Sequence, residues 1–506
     1  MNMFRKAAAA VLALAVTAGI TACTEETPVS GDAAPNTPPA VAGTTTQAST
    51  TTDPDANAAT DKEIKDINVE SYTPDGNAGT VVYLGFYDLT VDQKGREQYL
   101  IFSSDLYGGT LEYLSSPSGD AYFDKLGSLI AADESPDIVT KDAMLYPGNV
   151  AKNIFEPLDD YIDYNSPLWA DMAEVIEDYK YNGKHFYYPH RTTTFYTLNY
   201  SKKTIEENNL DDPYDLYRSG NWTWDEWKRL MAEFCDKNED HIGYYATDLT
   251  ITTFFSTTGV PLVDVQQGGV VINNINDPRI TRAMGFLEDL YREGLAYGKQ
   301  YGDWVSPQVF AQHCDNILFL GMEPEWSYIA ATENLQNPQG VDSDIFGTPS
   351  EFAFVPYPRD PSADKYYQAI DTYGFLVPKG AKNIKGAVDM INCWRVFDTD
   401  EEILAQVRED HINPTPEYYV KGKYEGYEKW QITWGEREYD LWREMCDPAN
   451  FTFITEDAYG FNSDFWKTLA DAVCDAAFYG GSWTQNRDEI WPMVESTLSE
   501  FRTAEG

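Results

Sequence analysis

The pattern of apolar and polar positions divides the chain into three unequal stretches. Ala7 to Ala22 form an almost unbroken run of small apolar residues behind a basic pair, Arg5 and Lys6. The run is shorter than the roughly 20 residues that span a bilayer, so residues 1–22 read as a cleaved export signal. From Thr24 to about Asp66 no hydrophobic period exists. Thr, Pro, Ala, Ser and Asp dominate, and no aromatic residue occurs between Phe4 and Tyr72. Such a stretch buries too little apolar surface to offset its ordering entropy and reads as a flexible linker. Asp53, Asp55 and Asn57 fit the first places of a calcium loop, but Ala58 and Ile64 replace the turn glycine and the bidentate acid, so no metal is expected there.

Beyond the linker, apolar runs at strand spacing alternate with stripes at helical spacing. Thr80 to Tyr87 (TVVYLGFY) predicts a first strand, and Gly109 to Leu114 a second, with a polar, loop-like segment between. Asp120 is expected to cap a helix carrying Tyr122, Phe123, Leu126, Leu129 and Ile130. Pro136-Asp137-Ile138-Val139 then reads as a short buried strand. This β-β-α-β order predicts an α/β unit with a largely parallel sheet and a ligand crevice beyond the strands' carboxyl ends. Further on, Thr223 and Glu226 form a capping box ahead of Trp227, Leu230, Met231 and Phe234, with Trp222 placed to staple onto Trp227. Asp277-Pro278 opens another helix, which Gly294 ends.

Composition sharpens this picture in three ways. The roughly 440 residues after the linker exceed one typical core and suit two lobes. Rings make up 14% of the chain, as 35 Tyr, 24 Phe and 13 Trp, enough to fill a core and leave faces for a ligand. A net charge of -45 repels nucleic acid and anionic lipid, so neither is an expected partner; high solubility is the plainer consequence. Cys235, Cys314, Cys393, Cys446 and Cys474 show no CxxC spacing, and Cys235 and Cys474 fall on apolar helical faces as buried thiols. His185 and His190 lack metal-ligand spacing and read as local hydrogen-bonding groups. Neither cofactor nor metal is expected.

Two resemblances extend the reading. Ile20-Thr21-Ala22-Cys23 resembles a bacterial lipobox, which makes Cys23 the lipidated first residue of a membrane-tethered protein. The order of segments from about Thr80 to Phe501 resembles the extracellular solute-binding proteins of ABC importers, in the sugar-binding group that includes maltose-binding protein. The pieces are YFDKLGSLIAADESPDIV, IFEPLDDYID, YNGKHFYYPHRTTTFYTLNYSK, NWTWDEW, ILFLGMEPEW, FAFVPYP and TYGFLVPKGAKN. That resemblance implies a type II periplasmic-binding-protein-like α/β fold, with two lobes joined by hinge strands and closing on a ligand. It implies an N-terminal lobe of residues 78–192 plus 371–412 and a C-terminal lobe of 193–370 plus 413–501. It also implies a monomer that binds an oligosaccharide, on the outer face of the membrane or in a periplasm, and delivers it to permease subunits.

Sugar capture needs ring faces to stack on pyranose C–H patches and planar charged groups to meet hydroxyls. The resemblance puts Trp326 at a stacking position after ILFLGMEPE, and points Tyr87 and Asp88, then Lys141 and Asp142, into the cleft. Arg191, Thr192 and Thr193 fall in the first hinge crossing, where the group carries a ligand-contacting glutamate that this chain replaces with Thr. Asp371 and Tyr373 begin the return crossing, and Trp304 is a further candidate. Lys141 with Arg191 leaves a uronate-type anionic ligand open. Two other classes compete: a tethered glycan-binding or adhesion module without transport, and a glycoside hydrolase. No local motif isolates a catalytic carboxylate pair among 82 acids, so no catalytic residue is assigned.

Overall fold

The computed structural model describes residues 72–502 except 91–95, 143, 195, 247, 267–269, 298–309, 311–312, 325–351, 414–434 and 448. Cys23, Trp304 and Trp326, with the stretches expected to be export signal and linker, lie outside the described residues. Among the described residues no helix is long and apolar enough to cross a membrane.

Fifteen strands are described. β1 (Gly79–Gly85) pairs in parallel with β2 (Gly109–Ser115) on one side and with β3 (Ile138–Thr140) on the other. The polar segment between β1 and β2 contains a helix, Arg96–Phe102, which corrects the β-β-α-β order to β-α-β-α-β. The physical reason is the pairing itself: parallel neighbours cannot be joined by a hairpin and need a crossover. The next helix, Asp120–Ala131, starts at Asp120 and is preceded by Gly119 at φ 75°, with no side-chain cap bond. Asp120 is therefore its first residue and not its cap. Asp137 explains the Pro-Asp-Ile segment: it accepts from the backbone N–H of Val82 (2.9 Å), Lys382 (2.8 Å) and Asn383 (2.7 Å), joining β1 to the start of the helix Ile384–Thr399.

A small β4–β5 hairpin (Lys180–Tyr181, Lys184–His185) leads into β6 (Tyr188–Thr194). β6 is followed at once by β7 (Thr197–Ser201), and the two belong to different sheets. β7 lies in a second sheet with β8 (Ile242–Tyr245), β11 (Ala296–Tyr297), β12 (Ile317–Met322) and β13 (Phe352–Val355), in the order β11-β8-β12-β7-β13. β9 (Val263–Gln266) and β10 (Val270–Asn273) form a separate hairpin. The chain returns in β14 (Tyr367–Leu376), which pairs antiparallel with β6 and β3 and parallel with β15 (Thr452–Ile454). The first sheet is thus mixed, in the order β15-β14-β3-β1-β2 with β6 on β14.

Local capping follows the expected chemistry in the second half. Thr223 accepts from the Glu226 N–H at the start of the helix Trp224–Cys235, while the Glu226 carboxylate turns to Arg229 (2.7 Å). Trp222 and Trp227 are fully buried, each ring lying against Phe319. Asp277 caps the helix Pro278–Arg292, and Gly294 follows at φ 73°. Cys235 and Cys474 differ from expectation: both are half-buried, because they sit at the margins of their helices' apolar stripes, whereas Cys314 and Cys393 are fully enclosed. All five are free thiols.

Candidate functional site

The carboxyl ends of β1 and β3 lie side by side, since Leu84 pairs with Val139. Tyr87 and Asp88 follow β1 in a bend two residues beyond its end, both half-buried, and Asp88 is turned onto Thr90 through its N–H (3.0 Å) and hydroxyl (2.6 Å). Lys141 and Asp142 follow β3. Asp142 points inward: 6% exposed, it accepts from the N–H of Gly119 (3.1 Å) and of Met144 (3.0 Å). Burial raises its pKa against those two bonds, so the carboxylate serves as an internal brace of the loop.

Register brings the remaining described candidates together. Along β6 and β14, Thr193 pairs with Asp371, Thr192 with Thr372 and Arg191 with Tyr373. Directly opposed residues share a face, so Arg191, Thr193, Asp371 and Tyr373 form one patch, and Thr192 and Thr372 occupy the reverse. The Arg191 guanidinium lies 4.4 Å from the Tyr373 ring centroid. On the reverse face the Thr192 hydroxyl donates to the Cys446 carbonyl (2.9 Å), fastening the crossing to the end of the helix Glu436–Met445.

Lys141 ties the end of β3 to this crossing. Its N–H donates to the Gly374 carbonyl (3.0 Å), and its ammonium meets the Asp371 carboxylate, the Thr372 carbonyl and the Thr372 hydroxyl, the last two at 3.1 Å. Burial would push the Lys141 pKa down, but the adjoining Asp371 carboxylate outweighs it and holds the group well above the ordinary lysine range. Behind the lysine stands a wall of buried tyrosines. Tyr179 and Tyr187 meet edge to face at 4.9 Å, each with its hydroxyl on the Thr372 hydroxyl, at 3.0 and 3.2 Å, and Tyr146 packs on Tyr179 at 5.4 Å. This wall is pressed close by the turn Asp457–Gly460, where a Cβ on Gly460 would stand 1.6 Å from the Tyr146 carbonyl, so only glycine fits.

Thr372, Tyr179 and Tyr187 are the members of this constellation that sequence reasoning misses. Thr372 lies between two candidates and was available by adjacency. The tyrosines are more than 180 positions away from Thr372, and nothing in their own neighbourhood marks them. Both histidines are hydrogen-bonding groups, but only His185 is a local one, meeting Asp159 (2.7 Å) and Glu177 (3.2 Å); His190 meets Asp398 (2.5 Å), 208 positions further along the chain. Among the described residues no cluster of His, Cys, Asp or Glu is arranged to hold a metal ion.

A family model of bacterial extracellular solute-binding proteins matches residues 102–411. No curated protein sequence matches the chain. Among solved structures, the sugar-binding protein MalE from the phytopathogen Xanthomonas citri superposes with a TM-score of 0.60 at 15% identity, over 84% of this chain and 100% of that one. The GacH receptor of Streptomyces glaucescens, solved unliganded and with acarbose, gives a TM-score of 0.56 at 14% identity, over 83% of this chain and 99% of its own. UgpB from Mycobacterium tuberculosis, solved with glycerophosphocholine, gives 0.55 at 14% identity, over 83% and 99%. At these identities the likeness establishes the fold, the two-lobed α/β architecture of periplasmic binding proteins.

Proposed function

The chain belongs to the bacterial extracellular solute-binding protein family, and on that premise we propose that it captures an oligosaccharide outside the cell and delivers it to the permease subunits of an ABC importer. The observation that carries this reading is the patch of Arg191, Thr193, Asp371 and Tyr373 on the strand pair that passes between the two sheets, with Lys141 beside it. It combines a charged acceptor with a cation over an aromatic face, the mixture that meets the hydroxyl rim and C–H faces of a sugar. On this reading Tyr87 and Asp88 would reach the ligand from beyond β1, and Trp304 and Trp326 would contribute stacking faces from the second lobe. Asp142 supports the loop and does not touch the ligand.

On this reading the first lobe comprises 78–192 and 371–412, and the second 193–370 and 413–501. β15, within the last stretch, is hydrogen-bonded to β14 of the first sheet, which makes the segment around Thr452–Ile454 a third passage between lobes. The family binds solutes and performs no turnover on them. The test is direct: purified protein titrated calorimetrically with neutral oligosaccharides should bind at least one and return it chemically unchanged. Products that disappear on replacing Asp371 would move the protein to the hydrolases.

Anchoring belongs to the same proposal. Cys23 closes a lipobox-like tetrad, and two or more acyl chains on it would hold the body at the membrane through the linker of 24–66. Replacing Cys23 by Ser is expected to release the protein into the soluble fraction or leave the export signal uncleaved. A Cys23→Ser protein that is processed normally and still sediments with membranes refutes the anchor.

A further inference from the structure

An ammonium group has three N–H donors and no acceptor. All three of Lys141 are in use: one on the Asp371 carboxylate, one on the Thr372 carbonyl and one on the Thr372 hydroxyl. Its side chain is only 17% exposed. Nothing remains with which Lys141 could bind a ligand, and its charge is matched at contact distance by Asp371.

Asp371 is held in a correspondingly one-sided way. Oδ1 receives both the Lys141 ammonium and the residue's neighbouring Thr372 N–H (2.8 Å), while no described residue donates to Oδ2. Two bonds to one oxygen fix the rotation of the carboxylate, and its side chain is 32% exposed. The support continues behind: the Thr372 hydroxyl that receives Lys141 also meets Tyr179 and Tyr187, which are buried to 7% and 0% exposure. Lysine, threonine and tyrosines together form a rigid backing for a single outward-facing acceptor atom.

We propose that Lys141 is a positioning residue that acts through Asp371, presenting Oδ2 as an acceptor for hydroxyl groups, and that the site therefore selects uncharged saccharides over ligands bearing carboxylate or phosphate. This deepens the proposed function and rests on it. The inference reverses the expectation that Lys141 serves an anion receptor: Lys141 is spent on Asp371, and the Arg191 guanidinium, stacked over the Tyr373 ring, shares its face of the strand pair with the Asp371 carboxylate. An anionic group approaching Asp371 meets an oxygen that carries charge and offers no proton, whereas a sugar hydroxyl supplies the donor that Oδ2 lacks.

The test uses full-length protein in detergent at about 0.15 M salt, where a Debye length of about 8 Å screens the probes from the chain's net charge of -45. Neutral tetrasaccharides of glucose, mannose, xylose and galactose are compared with tetragalacturonate and with glycerol 3-phosphate. Wild type should bind a neutral member about tenfold or more tightly than either charged probe, a comparison that requires no variant to fold. Lys141→Met should weaken that neutral ligand by about tenfold, and Lys141→Met with Asp371→Ala should be no worse than Asp371→Ala alone, since a residue acting through another shows a non-additive cycle. Losses that simply add show that Lys141 does not work through Asp371 and overturn the positioning role. Preference for tetragalacturonate or glycerol 3-phosphate overturns the selectivity while leaving solute capture standing. Failure of every probe to bind overturns the oligosaccharide reading and this inference with it.

Discussion

Replacing Arg395 by methionine is expected to destabilise the fold by about 2–4 kcal/mol, although the residue is no member of the ligand-facing patch. Arg395 sits on the helix Ile384–Thr399 with its side chain 3% exposed. Its Nε donates to the Leu168 carbonyl (2.8 Å), Nη1 to the His190 carbonyl (2.8 Å) and Nη2 to Asp171, while the guanidinium lies 5.6 Å from the Trp169 ring. One side chain thus fastens a long helix, the 168–171 loop and the crossing strand β6. Methionine keeps the stem's volume but leaves two enclosed carbonyls without donors, at about 1–3 kcal/mol each. The ion pair contributes less, because Asp171 is 63% exposed and water screens it. Asp171→Asn should accordingly cost under about 1 kcal/mol. Chemical denaturation of both variants decides the matter: equal, small losses would show that the carbonyl contacts are not what holds the helix to β6.

Replacing Trp326 by alanine is expected to weaken oligosaccharide binding by about 2 kcal/mol or more, roughly thirtyfold, with little change in stability. The argument is one of reach. β12 is the central strand of the second sheet, parallel to β8 and antiparallel to β7, and its carboxyl end at Met322 is where ligands of α/β sheets are met. Trp326 follows Met322 by four positions in the sequence. An indole there can stack on a pyranose held from the other side by the Asp371 patch, and a central aromatic anchor dominates such interfaces. Calorimetry and thermal melting separate the two roles open to this residue. A variant that binds normally and melts far earlier would assign Trp326 to the core and move the stacking face elsewhere.

Much of the fold is legible in sequence wherever a neighbour a few positions away decides the outcome. Thr223 and Asp277 cap the helices they precede, and the apolar spacing of Tyr122, Phe123 and Leu126 gives the buried face of the helix Asp120–Ala131. Where the deciding partner is distant, the reading stops short. The helix Arg96–Phe102 hides in a polar segment because its necessity comes from the parallel pairing of β1 with β2. Asp142 cannot be told from a ligand-facing acid by spacing, since its partners are the backbone N–H groups of Gly119 and Met144.

The site divides in the same manner. Arg191, Thr192, Thr193, Asp371 and Tyr373 are marked by family resemblance as two separate crossings, and the β6–β14 register joins Arg191, Thr193, Asp371 and Tyr373 into one patch while turning Thr192 to the reverse face. Lys141 is marked as a ligand-facing cation. Its true commitments, to Asp371 and Thr372, depend on β3 and β14 being neighbours, a relation between segments some 230 positions apart. Charge alone suggests an anion receptor, and only geometry shows that the charge is already used.

The central claim is that a sugar bridges two lobes and makes their closed arrangement the favoured one. Small-angle X-ray scattering of the purified protein, with and without a saturating neutral oligosaccharide, tests it most directly. The account predicts that the radius of gyration falls on adding ligand, and that the Trp326→Ala protein contracts only at correspondingly higher concentration. A ligand that binds tightly in calorimetry yet leaves the scattering curve unchanged would contradict capture by closure.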